Sequence, residues 1–165
     1  MWSAQAYPGT NFVGVDRLLR RLRRIDRKIQ RLVTCAPPHE QLGLQNVRLV
    51  RAEASYFVTY LVPKASVSAY HIYFPDPWPK RRHHQRRLVS GPFLQDLNRT
   101  LERGGEVNCA TDHDEYFRWI QAEFGRTNGF MEASPHVLPE ETQTDFEREF
   151  LLAGKQIYRC CWVKG

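Results

Sequence analysis

The residues of this chain that could do chemistry fall into two patterns. The first is the stretch FPDPWPKRRHHQRR, Phe74 to Arg87, in which Asp76 stands between Pro75 and Pro77 and is followed by Trp78 and seven basic or potentially basic side chains. Proline fixes φ, so an acid between two prolines is carried on a stiff backbone. Lys80, Arg81, Arg82, Arg86 and Arg87 follow that acid directly and can hold phosphates. Charge then supplies affinity and the pocket supplies selectivity. His83 and His84 read as polar surface groups, and Trp78 reads as a packed ring, with stacking on a nucleobase as its other use.

The second pattern is a set of acids, each closing an apolar, strand-like run: Asp16, Glu53, Asp76 and Asp112. In open α/β sheets ligands bind beyond the C-terminal ends of the strands, so four such acids would line one rim. A carboxylate closing the first strand suits a ribose, whose two hydroxyls it accepts together. A second acid one strand over is placed for an adenine amino group or the nearby sugar. Each acid also has a structural use: Asp16 can cap a helix, Asp112 with Glu115 three residues later resembles a capping box, and Glu53 can simply be solvated.

The elements that must position these groups alternate along the chain. NFVGV (Asn11 to Val15) reads as a strand, and Leu18, Leu22, Ile25, Ile29 and Leu32 then recur at helical spacing among arginines. The arginines from Arg17 to Arg31 read as the solvated face of that helix, or as a second surface for a polyanion. APPHEQLGLQ breaks the helix, NVRLVRAEA (Asn46 to Ala54) reads as a second strand, and VSAYHIYFPD (Val67 to Asp76) as a third. Ser90 looks like an N-cap before Phe93, Leu94, Leu97 and Leu101, a face that stops at Gly104 and Gly105. GEVNCATD (Gly105 to Asp112) is a fourth strand and runs into a helix through Trp119 to Phe124. GFMEASP and QIYRCCWV look like two more strands around a loop from Pro135 to Gly154. This alternation predicts an α/β fold with a mostly parallel sheet and helices on both faces.

Composition narrows the functional classes. The chain has 165 residues, enough for one core, and a net charge of +6 that favours a polyanionic partner. No segment reaches the roughly 18 uninterrupted apolar residues of a membrane span, and the N-terminus lacks a signal pattern, so a cytoplasmic protein with no membrane contact is expected. Cys35, Cys109, Cys160 and Cys161 show neither CxxC spacing nor a disulfide framework, and read as reduced, mostly buried thiols with no metal site.

The motif FPDPWPKRRHHQRRLV resembles the signature of the bacterial tRNA (guanine-N7-)-methyltransferases, and NFVGVD, LGLQNVRLVRAEA, LERGGEVNCATDHDEYFRWI and TDFEREFLLAGKQIYR match family segments in order. The resemblance runs from about Asn11 to Arg159. It implies a Rossmann-like methyltransferase sheet and transfer of a methyl group from S-adenosylmethionine to N7 of guanine 46 in the tRNA variable loop. It implies that Asp16 and Glu53 hold the cofactor, with Asp for the more usual Glu at the first position and Glu for the more usual Asp at the second. Asp76 would sit at the reaction centre, in reach of the cofactor, while Lys80, Asp112, Thr144 and Glu147 would contact the guanine or its nucleotide. Arg81, Arg82, Arg86 and Arg87 would hold the RNA backbone.

The family places a strand and a glycine-rich loop, the cradle for the methionine end of the cofactor, before the acid-tipped strand. Here MWSAQAYPGT precedes Asn11, and none of it reads as a strand with a Gly-x-Gly turn. A single methyltransferase-like domain over residues 1–165, incomplete at its N-terminus, is therefore expected. Loss of that strand would expose two strand edges or force a different pairing. The alternative to an enzyme is a degenerate RNA-binding paralogue that keeps the basic groove and has lost cofactor binding.

Overall fold

A computed structural model describes residues 2–35, 44–135 and 143–165. By contact density the chain divides into two compact units, Met1–Phe57 and Val58–Gly165. In the first, α1 (Trp2–Ala6) precedes β1 (Phe12–Asp16), α2 (Leu19–Cys35) and β2 (Val47–Arg51). β1 and β2 pair in parallel, from Phe12 opposite Val47 to Asp16 opposite Arg51. Gly14 lets the two strands pack closely, since a Cβ there would stand 3.0 Å from the end of the Leu49 side chain, which would have to shift. The apolar stripe of α2 buries Leu22 and Ile29, and Ile29 packs with Ala4, Leu44, Phe12, Val47 and Leu49. Ile25, expected on the same stripe, is instead 38% exposed. The Asn46 amide donates to the carbonyls of Ala4, Tyr7 and Thr10, which ties the N-terminal segment to the foot of β2.

The division between the units falls inside α3 (Ala54–Leu61), a helix that the strand-like reading of residues 46–54 did not contain. The second unit continues with β3 (Val67–Tyr73), a 3-10 turn over Arg81–Arg86, α4 (Gly91–Thr100), β4 (Leu101–Thr111), α5 (Asp114–Arg126), β5 (Phe130–Ala133), α6 (Asp145–Leu152) and β6 (Tyr158–Lys164). Its sheet runs β3-β4-β6-β5. β3 and β4 are parallel, as expected, but β6 is antiparallel to both β4 and β5. The unit β4-α5-β5 is thus a parallel crossover whose two strands are parted by the C-terminal strand entering in the opposite sense. Apolar periodicity marks a strand but carries no direction, so only the pairing reveals this.

Helices α4 and α5 supply the core of this unit with Phe93, Leu94, Leu97, Tyr116, Ile120 and Phe124, and Trp162 of β6 stacks on Phe124 at 4.9 Å and 3°. Ser90 does sit at the N-cap of α4, in an extended conformation without a side-chain cap bond, and Pro92 occupies the first turn. Arg99 closes α3 by donating to the carbonyls of Val58, Thr59 and Val62. The expected loop from Pro135 to Gly154 contains α6, and its residues 136–142 lie outside the described residues. Among the described residues β1 pairs only with β2, and β3 only with β4.

Candidate functional site: strand-end carboxylates, a basic turn and an aromatic cluster

In the first unit Asp16 and Glu53 stand at the C-terminal ends of adjacent parallel strands, β1 and β2. Each is also a helix cap. Asp16 Oδ1 accepts from the Leu18 backbone N–H at 2.7 Å, and Oδ2 faces Arg21 at 3.4 Å. Glu53 Oε2 accepts from the Tyr56 N–H and from the Ser55 hydroxyl, both at 2.8 Å. Burial pushes the Glu53 carboxyl up, but the Tyr56, Ser55 and Ala54 hydrogen bonds together outweigh it and hold the group below the usual range. Glu53 is therefore a cap for the unforeseen α3 and not a merely solvated acid. That helix is anchored by its buried residue Val58.

In the second unit the motif folds as a stiff turn after β3. Phe74 and Trp78, both followed by proline, adopt φ of 51° and 44°. The left-handed region costs a bulky residue on the order of 1–3 kcal/mol, and such strain persists only where surrounding structure imposes it. Asp76 lies exposed on this turn. Lys80 precedes the 3-10 turn, and its carbonyl accepts from His83 N–H at 2.7 Å. Arg81, Arg82 and Arg86 of that turn are exposed, with Arg86 lying 5.1 Å over the Trp78 ring.

Arg87 does not join them. It was expected on the phosphate-binding face, yet its side chain is fully buried. Nε donates to the Pro77 carbonyl at 2.9 Å, and the two terminal nitrogens meet Glu115 at 3.1 and 2.5 Å. Its guanidinium lies 5.0 Å over Tyr116 and 4.9 Å over Trp119. A planar fork with five donors suits this buried role, in which the residue fixes the turn carrying Asp76. His83 and His84 are likewise half-buried and pack edge-on against Trp78 and Trp119.

Asp112 follows the end of β4, and its Oδ2 receives the Lys155 ammonium at 2.6 Å. The capping box expected of Asp112 and Glu115 is not formed: the N-cap of α5 is His113, whose Nδ1 accepts from Tyr116 N–H, while Glu115 serves Arg87. Thr144 caps α6 by accepting from Glu147 N–H at 3.1 Å. Glu147 is 2% exposed and paired with Arg159. Lys155 also lies 4.3 Å over the Phe150 ring, which meets Phe74 edge-on at 5.2 Å. Phe146 stacks with Phe150 at 6.2 Å and approaches Phe74 at 6.4 Å. Asp112, Thr144 and Glu147 are thus tied to one aromatic cluster through Lys155 and α6, and Asp76 follows its member Phe74 by two residues.

A small recess beside it is lined by Tyr73, Asn108, Pro135, Glu147 and Arg159. Burial, with the Glu147 charge adding to it, pushes Tyr73 up to about 12. Asn108 Oδ1 is buried and has no hydrogen-bond partner among the described residues. Cys109 and Cys160 lie on the same wall, and their mutual hydrogen bond together with burial drives Cys109 well above the thiol range, so it stays protonated. The cysteines 109, 160 and 161 are free and buried. Sequence reading missed Phe146, Phe150, Lys155 and Arg159 as site elements, although all four stand in the segment TDFEREFLLAGKQIYR. Among the described residues no group of three or more His, Cys, Asp or Glu is placed to hold a metal ion, and no helix is long and apolar enough to cross a membrane.

A family model described as "Putative methyltransferase" matches residues 1–160. The chain is 34% identical over 156 residues to the tRNA (guanine-N(7)-)-methyltransferase of Geobacter metallireducens, covering 92% of this chain and 69% of that protein. It is 32% identical over 158 residues to the one of Treponema pallidum, covering 96% of this chain and 59% of that protein. With the Halorhodospira halophila protein of the same name it shares 38% identity over 125 residues, 72% of this chain and 54% of the relative. The chain thus spans little more than half the length of the latter two. The fold is similar to that of the 16S rRNA methyltransferase KamB, with a TM-score of 0.66 at 18% identity over 99% of this chain and 81% of that one.

Proposed function

This chain belongs to the tRNA (guanine-N7-)-methyltransferase family, and from that premise we propose that it transfers a methyl group from S-adenosylmethionine to N7 of guanine 46 in the tRNA variable loop. The observation that carries the reading is the aromatic cluster that joins Phe74, two residues before Asp76, to the Lys155 partner of Asp112 and to α6, which bears Thr144 and Glu147. We propose further that both units act as one methyltransferase domain, and that it works in the cytoplasm.

The residues present fit the nucleoside part of the cofactor. A carboxylate offers about four lone-pair sites, so Asp16 and Glu53 can each accept ribose hydroxyl or adenine amino donors while still capping α2 and α3. When bound, S-adenosylmethionine supplies an electrophilic methyl group on a sulfonium. Guanine N7 carries an in-plane lone pair and no proton, so this chain needs no general base. Its task is to align the purine and to exclude competing water. The purine gains positive charge as N7 bonds to carbon. Asp76, carried by the strained turn that Arg87 braces, stabilises that charge or fixes the base by accepting its N1 and amino protons. Asp112 and Glu147, each with a cationic partner already in place, select the base edge. Lys80, Arg81, Arg82 and Arg86 hold the RNA backbone.

The test is methyl transfer from labelled S-adenosylmethionine to two tRNA transcripts, one with guanosine and one with 7-deazaguanosine at position 46. Label in the first and none in the second is the expected result. Equal labelling, or tRNA binding without any transfer to either, overturns the reading. Asp76→Asn keeps the shape of the turn and should lower the single-turnover rate on the order of 100-fold with the melting temperature unchanged.

A further inference from the structure

One motif of the sequence takes no part in the chemistry of methyl transfer: the arginine stripe of α2. On a helix of 3.6 residues per turn, Arg20, Arg23 and Arg27 fall within about 60° of one another, on the side opposite Leu22 and Ile29. Leu22 and Ile29 are buried, whereas all three arginines are exposed. Arg27 donates Nε to the Arg23 carbonyl at 3.2 Å, and no carboxylate meets any of the three among the described residues. These charges work against the helix that carries them. Arg23 and Arg27 are like charges four residues apart on one face. Arg20 stands in the first turn, where the helix dipole favours an acid, and that turn holds none. Its neighbour Arg21 is answered by Asp16 at 3.4 Å, but Arg20 is not. A stripe that opposes its own helix is explained by a partner that brings the anions.

We infer that Arg20, Arg23 and Arg27 form a second phosphate-binding surface, on the first unit, for the tRNA backbone, an inference that takes its RNA from the methyltransferase reading. At a rise of about 1.5 Å per residue, the three stems stand about 4.5 and 6 Å apart along the helix axis, so they present a row of charge and not a single point. The planar guanidinium matches a phosphate bidentately, and such contacts fix register and affinity without reading sequence. An anionic membrane is the other polyanion that a basic helix can meet. An interfacial helix inserts its apolar face, however, and here Ile29 of that face packs with Ala4, Leu44, Phe12, Val47 and Leu49. RNA, which needs only the charged side, fits the helix as it is folded.

The experiment compares the full chain as wild type, as the triple variant Arg20→Gln, Arg23→Gln, Arg27→Gln, and with the same three residues changed to Lys, on a tRNA transcript and on phosphatidylglycerol vesicles. Glutamine keeps an unbranched stem and a good helix propensity and removes the charge. Expected for the glutamine variant are tRNA binding on the order of tenfold weaker at low salt, a plot of log affinity against log salt flattened by about 2–3, and a raised KM for tRNA. Its melting temperature should be no lower than that of the wild type, because repulsion within α2 is relieved. The lysine variant should keep the salt slope. Wild-type affinity and slope in the glutamine variant overturn the inference and leave the methyltransferase reading intact. A lowered melting temperature in that variant also overturns it, since the arginines then serve the fold. Arginine-dependent binding to the vesicles with an unchanged tRNA slope overturns it in favour of a membrane surface. A wild type that binds tRNA through these arginines yet methylates no guanine sinks the methyltransferase reading alone, and one that binds no tRNA removes both.

Discussion

Neighbouring arginines of the basic run should give opposite phenotypes. Arg87→Met keeps an unbranched apolar stem between Tyr116 and Trp119 but removes three hydrogen bonds, one to the Pro77 carbonyl and two to Glu115. Loss of one partner of a buried ion pair costs up to about 3–5 kcal/mol, chiefly through the charge left behind. Here the remaining carboxylate is 52% exposed and returns to water. What is lost is the set of charge-assisted bonds and the cation–π contacts, offset by relief of guanidinium burial, for a net of about 2 kcal/mol. For a chain of this size that lowers the melting temperature by about 4–8 °C. The tRNA affinity should keep its salt slope. The triple change of Arg81, Arg82 and Arg86 to Ala should do the reverse. Exposed substitutions change stability by less than about 0.5 kcal/mol each in either direction, so the three together shift the melting temperature by at most about 3–6 °C, and the salt slope is the quantity that separates the two variants. The triple change flattens the plot of log affinity against log salt by about 0.7–0.9 per lost phosphate contact, about 2–3 in all. Fluorescence anisotropy over a salt series and thermal melting by circular dichroism read both quantities. An Arg87→Met protein that melts with the wild type and loses salt slope would refute the buried-brace argument.

Three further outcomes follow from the same geometry. Thr144→Ala removes the cap of α6 and should destabilise the second unit by about 1 kcal/mol in urea melts, with Thr144→Ser restoring it. Gly129→Ala places a Cβ 2.5 Å from the Asn98 amide at a φ of 93°, so a loss of about 1–3 kcal/mol is expected in the same assay. Glu53 titrates below the usual carboxylate range in the folded chain, so its contribution is present above the ordinary range and is lost as pH falls through its folded value. The difference in melting temperature between wild type and Glu53→Ala should therefore shrink as the pH is taken below about 4, and a constant difference would show that the charge is not involved.

The sequence by itself determined the elements and the chemical types at their ends. Period-two and helical patterns located β1, β3, β4, α2 and α5 to within a few residues, and the acids at Asp16, Asp76 and Asp112 stand just where those strands stop. Such signals are local, because a strand or helix needs only its own alternation and its caps. Helices α3 and α6 escaped, being short and flanked by strand-like or polar residues. The antiparallel entry of β6 between β4 and β5 was beyond reach for another reason: direction belongs to the partner strand and not to the run itself. The same limit governs the charges. Arg86 and Arg87 are identical neighbours in sequence, yet the fold leaves one at the surface over Trp78 and buries the other against Pro77 and Glu115. Composition fixes how much positive charge the chain carries. Only tertiary packing decides which of it faces a polyanion and which serves as an internal brace, since burial is set by neighbours that arrive from 28 residues away.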